Sequence, residues 1–267
     1  MDYLWILLAV SLAASAVGWI YFIYFFSIGY GLAIAAIAAA TAIIFPGAFT
    51  LPTVIFCTTL FIYGIRLATY LFVREKKSAS YKSILYQPDK TEHKSTPTMV
   101  MIWISCALLY IGQTSPYTFY LYNLEKGADT NETWVWTGAI IALLGFATEA
   151  IADAQKSAAK RKNARQFVST GLYRIVRCPN YFGEILLWSG SYIICFGADC
   201  TPWQWVIASL GYAGILYVMF SGARRLELRQ QETYGNNPAF RAYIRHRPLI
   251  IPLLPIYSVA KFKWLKG

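Results

Sequence analysis

Read for apolar and polar positions, the chain divides into seven long apolar runs separated by polar stretches. They lie at about 3–27, 29–45, 51–73, 98–122, 134–153, 181–198 and 203–222. A helix needs about 20 residues to cross a bilayer, and these runs are of that order. The first opens Tyr3-Leu4-Trp5 and carries no charge as far as Tyr24-Phe25-Phe26; it is too long for a cleaved signal peptide and lacks the basic start. The second ends at Pro46-Gly47. The pattern predicts an all-α integral membrane protein of about seven transmembrane helices, with no internal repeat and no low-complexity linker.

Composition agrees. Of 267 residues, 57% are hydrophobic and only 14% charged, against roughly 25% charged in a soluble domain. The formal net charge is +11, yet the aromatic residues lie in the apolar runs rather than among the charges, which argues against nucleic-acid binding. Five cysteines show no CxxC or metal-ligand spacing, and their odd number does not suit a disulfide framework. His93 and His246 are too few and too far apart for a metal cage, so no metal is expected.

The basic residues set an orientation. Arg74, Lys76, Lys77, Lys82, Lys90 and Lys94 follow the third run, and seven more, from Lys156 to Arg177, follow the fifth. Nine others, Arg224 to Lys266, follow the seventh. The alternate stretches hold only Lys126, and Arg66 lies within a run, so 22 of the 24 basic residues fall on one side. By the positive-inside rule that side is cytosolic, with the N-terminus outside and the C-terminus in the cytosol. Asn131-Glu132-Thr133, on the outer side, has the form of a glycosylation acceptor, a tripeptide common by chance.

Ionisable groups at the edge of a membrane span are costly unless paired or hydrated, which makes each a functional candidate. Glu149 and Asp153 close the fifth run four residues apart, on one helix face; they could accept from ribose hydroxyls or an amide, hold the arginines of the next loop, or be a solvated helix end. In Gly171-Leu172-Tyr173-Arg174-Ile175-Val176-Arg177-Cys178-Pro179-Asn180-Tyr181-Phe182-Gly183-Glu184, two arginines precede a proline-started helix opened by Asn180, Tyr181 and Glu184. Free N–H groups there favour an anion, and Arg174 and Arg177 could clamp phosphates. In the basic tail, Tyr243 and Arg247 lie one helical turn apart, able to close over a phosphorylated ligand or to rest on anionic lipid.

The order Ala152-Asp153-x-Gln155-Lys156, Gly171-Leu172-Tyr173-Arg174, Arg177-x-Pro179-Asn180-Tyr181-Phe182-Gly183-Glu184 and Tyr234-Gly235…Pro238…Tyr243…Arg247-Pro248…Pro252 resembles the steroid 5-alpha reductase superfamily, nearest its bacterial branch. The resemblance covers about 55–257 and is most specific over 171–184. It implies three parts: N-terminal transmembrane helices over 1–50, a reductase-like membrane domain with an NADPH site over 51–257, and a basic cytosolic tail over 258–267. In that superfamily the C-terminal spans and cytosolic loops, closed by the tail, bind NADPH, whose hydride reduces a carbon–carbon double bond conjugated to a carbonyl. Carried over, Glu149, Asp153, Asn180 and Glu184 fall on cofactor-holding positions. Arg247 matches a tail arginine that secures the cofactor, with Tyr243 its neighbour, and Lys160 falls near a basic loop position. Tyr63-Gly64-Ile65-Arg66 matches a Tyr-x-x-Arg whose tyrosine polarises the substrate carbonyl; a phenol donating there stabilises the enolate formed on hydride addition.

Two departures stand out. The steroid enzymes carry a Gln-Glu pair in an earlier span, whereas no Glu or Asp except Asp2 precedes Tyr63 here, and Cys178 occupies a position where relatives carry histidine. The implied substrate is a lipophilic enone, steroid or other, and the implied location a bacterial inner membrane, or the endoplasmic reticulum in a eukaryote. Isoprenylcysteine carboxyl methyltransferases, which use S-adenosylmethionine, share an Arg-His-Pro-x-Tyr-x-Gly element and form the competing reading. They carry paired glutamates ahead of the tail, where this chain has Arg224-Arg225-Leu226-Glu227-Leu228, and an arginine-rich site favours the anionic NADPH. A non-enzymatic lipid-binding protein is a third reading. A transporter fits poorly, since the charges cluster at one face.

Overall fold

The computed structural model describes residues 2–77 and 95–266; the expected loop lysines Lys82, Lys90 and Lys94 lie outside the described residues. All regular structure among the described residues is helical. The α-helices are α1 (Tyr3–Ser15), α2 (Ile28–Ile44), α3 (Leu51–Lys77), α4 (Thr96–Glu125), α5 (Glu132–Lys162), α6 (Pro179–Ile194), α7 (Pro202–Tyr234) and α8 (Pro238–His246).

Five helical segments among the described residues are long and apolar enough to cross a membrane: Phe22–Ile44, Leu51–Arg74, Thr96–Glu125, Glu132–Lys162 and Pro202–Tyr234. They carry large apolar side chains outward as well as inward. On α3, Phe56, Leu60, Tyr63 and Leu67 are buried while Phe61, Ile62, Ile65 and Phe72 are exposed. Apolar surface on that scale suits lipid rather than water. The chain is a multi-pass integral membrane protein.

Two of the seven expected spans take another form. The first run is not one helix: α1 ends at Ser15, and 3-10 turns at Ala16–Trp19 and Phe22–Phe25 separate it from α2. Tyr21 between them is extended, and Gly18 lies so close under Phe25 that a Cβ there would be 2.0 Å from Phe25 Cδ1. The sixth run folds as the 16-residue α6 followed by a 3-10 turn at Cys195–Gly197, short of the roughly 20 residues of a spanning helix.

Close packing divides the chain into two units, Met1–Ala139 with Ser191–Gly211, and Ile140–Gly190 with Tyr212–Gly267. In the first, α2 and α3 touch backbone to backbone. A Cβ on Gly31 would lie 2.6 Å from the Gly64 carbonyl oxygen, and one on Gly64 2.4 Å from that of Gly31. Small residues at helix contacts permit this approach inside a membrane. On α4, Pro116 cannot bond the Gly112 carbonyl, and Ser115 Oγ donates to that oxygen at 2.8 Å instead. Asn123 and Gln204 exchange two amide hydrogen bonds of 3.0 Å, tying α4 to α7. Asn131, first residue of the glycosylation-like tripeptide, accepts from the Thr133 N–H at 3.0 Å and so caps α5.

Candidate functional site

In the second unit, α5 and α6 cross at a second glycine pair. A Cβ on Gly145 would meet the Leu187 nitrogen at 2.4 Å, and one on Gly183 the Glu149 nitrogen at 2.6 Å. The contact sets Glu149 of α5 against the residue next to Glu184 of α6. Glu149, Asp153 and Glu184 are all buried, while Asn180 and Tyr181 at the start of α6 are half-buried. Tyr181 also faces α7, where a Cβ on Gly222 would lie 3.3 Å from its hydroxyl oxygen. Among the described residues no group of three His, Cys, Asp or Glu side chains is placed to hold a metal ion.

The chain enters α6 through a turn that depends on a left-handed residue. Gly171 has φ +61, and a Cβ there would run into the Gln155 carboxamide at 2.3 Å. Gln155 Oε1 accepts from the Leu172 N–H at 2.9 Å, holding the 3-10 turn Gly171–Arg174 on α5. Lys160 reaches into the same loop and donates to the carbonyls of Ala164 (3.0 Å) and Gln166 (2.7 Å) and to the Tyr234 hydroxyl (2.9 Å).

The short α8 docks on that turn. Asn237 caps it by accepting from the N–H groups of Ala239 (2.9 Å) and Phe240 (3.4 Å), and the buried Phe240 packs on Phe167 and Tyr234 with ring centroids 5.3 and 5.6 Å away. Tyr243 donates its hydroxyl to the Tyr173 carbonyl at 2.7 Å. Burial pushes this phenol well above its ordinary value, so it remains a donor. This one bond joins the residue before Arg174 to the helix turn before Arg247. Both arginines consequently line one cleft of about 400 Å³, with Pro248, Pro252, Leu254 and Tyr257 among its walls. Small-molecule sites run from roughly 300 to 1,000 Å³.

Arg177, read from the sequence as the second phosphate clamp, is in the core at 2% exposure. Its Nη2 lies 3.2 Å from Glu227 Oε1 and also donates to the Tyr257 carbonyl. Glu227 Oε2 in turn accepts from the Val259 N–H at 2.9 Å. The backbone follows: the N–H groups of Arg177 and Cys178 donate to the carbonyls of Pro248 (2.9 Å) and Leu249 (2.8 Å), and that of Leu249 to Ile256 (2.8 Å). Arg177 and Glu227 thus anchor the segment that forms the cleft wall, and Arg174 faces the cleft without it. Cys178 is fully buried; burial, against the pull of Arg177 and Lys156, pushes its thiol up to about 12.

Tyr63 belongs to the first unit. It is fully buried beside the Gly31–Gly64 contact, and its hydroxyl donates to that of Tyr30 at 3.2 Å. Arg66, one turn on, lies over the Tyr70 ring at 5.1 Å. Tyr30 and Tyr257 were not legible as members of these clusters, since each partner is far away in sequence and no local motif marks the pairing; Gln155 stood in a quoted motif, but its bond to the Leu172 N–H was not legible.

The fold and the cleft define a multi-pass membrane protein with a dibasic recess and, separately, buried carboxylates on α5 and α6. A family model described as "Protein of unknown function (DUF1295)" matches residues 25–247, and the chain belongs to that family. It is also similar to "Steroid 5-alpha-reductase DET2" of Gossypium hirsutum, 32% identical over 87 residues, which are 32% of this chain and 28% of that protein. The chain therefore matches little more than a quarter of this curated relative's length. No solved structure matches. The steroid reductase likeness expected from the motifs is present as a partial similarity.

Proposed function

We propose that the chain is an NADPH-dependent reductase acting on the double bond of a lipophilic α,β-unsaturated carbonyl compound within the membrane. The observation that carries this reading is the shared cleft of Arg174 and Arg247. Two arginines lining one recess suit a ligand with several phosphates. The partial similarity to a steroid 5-alpha-reductase supports the same reading.

The residues fit such a cofactor. Arg174 and Arg247 would hold its phosphates, while Glu149, Asp153 and Glu184, with Asn180, would accept from or donate to its sugar hydroxyls and carboxamide. Tyr181 would pack beside them. Lys160, Tyr243 and Arg177 would act by holding the loops, since their hydrogen bonds go to the protein itself. When bound, NADPH supplies a hydride. Tyr63 would turn its one hydroxyl hydrogen from Tyr30 to the carbonyl oxygen of the substrate, leaving Tyr30 able to donate to Tyr63 in turn. The orientation with the basic loops in the cytosol, where NADPH is held, belongs to the same proposal.

The methyltransferase alternative needs acids ahead of the tail to receive a cationic cofactor. Glu227, the acid at that place, is already bonded to Arg177 and to the Val259 N–H, so nothing favours that reading. Nucleotide titration of the detergent-purified protein tests the choice. NADPH should bind more tightly than NADH and S-adenosylmethionine, and tighter binding of S-adenosylmethionine would overturn the proposal.

A further inference from the structure

Helix α4 carries a run of buried polar side chains in the first unit, and all but one are accounted for. Thr114 Oγ1 donates to the Tyr110 carbonyl at 2.8 Å, Ser115 Oγ to that of Gly112 at 2.8 Å and Thr118 Oγ1 to that of Thr114 at 3.3 Å. Tyr110 donates to the Phe25 carbonyl, and Tyr117 to the Thr53 carbonyl at 3.4 Å. Even the backbone carbonyl of Gln113 receives the Ser191 hydroxyl, at 2.9 Å. The Gln113 side chain is the exception. It is 2% exposed, and neither Nε2 nor Oε1 has a hydrogen-bond partner. A donor and an acceptor left unpaired inside a membrane protein are costly, and native structures rarely retain them without a use.

Its position suggests the use. Tyr110, Gln113 and Tyr117 recur at i, i+3 and i+7 and share one face of α4. Tyr117 packs on Phe56 of α3, with ring centroids 5.0 Å apart. Tyr110 packs on Tyr30 of α2 at 5.1 Å, and Tyr30 accepts from the Tyr63 hydroxyl. Gln113 thus lies between two aromatic contacts, on the face of α4 turned toward the helices that carry Tyr30 and Tyr63. No Glu or Asp other than Asp2 precedes Tyr63, so the N-terminal helices offer no buried acid to grip a ligand's oxygen.

We propose that Gln113 is the ligand-gripping residue of the first unit: its amide receives the polar end of a lipophilic compound whose apolar body rests among the surrounding aromatic rings. Taken with the reductase reading, on which the ligand class rests, that polar end is the ketone or aldehyde oxygen of an enone. Nε2 donates to it, and Oε1 is left to accept from a hydroxyl on the same ligand. A neutral amide binds the ligand without taking part in proton transfer, so its loss falls on affinity rather than on the chemical step.

Full-length protein in detergent, wild type and Gln113→Met, tests this with progesterone and trans-2-hexadecenal as probes. Melting temperature is measured without ligand, and Kd by titration. Methionine keeps the length and removes both polar atoms, so the ligand-free melting temperature should be unchanged or higher, with Kd roughly tenfold weaker for a probe that binds wild type. An unchanged Kd would overturn the proposal, as would failure of wild type to bind either probe. If Gln113→Met does not fold, Gln113→Asn, which withdraws the amide by one methylene, is read by the same Kd criterion. NADPH oxidation measured alongside separates the two readings. A wild type that binds a probe and never oxidises NADPH sinks the reductase and leaves Gln113 to be judged by its Kd; turnover with an unmoved KM in Gln113→Met sinks Gln113 alone.

Discussion

Replacing Glu227 by glutamine isolates the ion pair that anchors the cleft wall. Both side chains of the pair are 1% exposed, at 3.2 Å. The substitution keeps the shape and removes the charge opposite Arg177, which bonds Glu227 through Nη2 alone and whose Nε and Nη1 have no hydrogen-bond partner. Breaking a buried pair from one side costs about 3–5 kcal/mol, because the remaining charge is left uncompensated. That is a large part of the roughly 5–15 kcal/mol by which folded proteins are stable. At about 2–4 °C per kcal/mol for a chain of this order of size, the melting temperature should fall by about 6–20 °C. Cys178, next to Arg177 and fully buried, reports where the structure opens. Peptide mass spectrometry after brief maleimide treatment at neutral pH should find it modified in Glu227→Gln and protected in wild type. The double variant Arg177→Met/Glu227→Leu should recover most of the loss, since an apolar pair of similar volume often replaces a buried ion pair without cost. A single variant as stable as wild type, with Cys178 still protected, would refute the reasoning.

Further outcomes follow from the same geometry. Arg174→Ala and Arg247→Ala should each weaken NADPH binding by about tenfold or more, the loss of a charge-assisted bond worth roughly 1.5–3 kcal/mol, with little change in melting temperature; equal affinity in the double variant would remove the cleft from cofactor binding. Tyr63→Phe should lower turnover of an accepted enone by roughly 10²–10⁴-fold while NADPH affinity stays constant, and unchanged turnover would take Tyr63 out of the mechanism. Gly183→Val should prevent the α5–α6 contact and abolish folded protein in size-exclusion chromatography, because a Cβ there falls 2.6 Å from the Glu149 nitrogen. The Cys178 thiol, ordinarily at 9.0 and raised to about 12 in the fold, stays protonated longer in the folded chain than in the unfolded one. Its contribution is complete below pH 9.0 and lost as pH rises toward about 12. The melting temperature of wild type should fall more steeply than that of Cys178→Ala over that range, and parallel curves would contradict it.

The long helices were legible because a bilayer imposes length and apolarity together, and α3, α4, α5 and α7 meet both conditions in their composition alone. Glu149 with Asp153, and Asn180 with Glu184, could be paired in advance because helical spacing is local. The break after Ser15 could not, since averaging apolar character over 3–27 hides the extended Tyr21 and the seating of Phe25 on Gly18. Arg177 misled for a similar reason. In the sequence it is one of several basic residues before a helix, and its partner Glu227 lies 50 positions on. The bare amide of Gln113 left no trace at all, because the groups that fail to bond it are contributed by other helices.

The loop that walls the cleft is fastened at both feet and tied between them by the Leu249 N–H on the Ile256 carbonyl and by Arg177 on the Tyr257 carbonyl, so that only its crest stands clear. One foot is the backbone pairing of Arg177 and Cys178 with Pro248 and Leu249, the other the Val259 N–H on Glu227. Leu253, at its crest, is 99% exposed and contributes nothing to holding either foot. Length and side chains at the crest can therefore drift, or be redesigned, without disturbing the fold beneath. On the reductase reading, the crest is where ligand preference could diversify at no cost to stability.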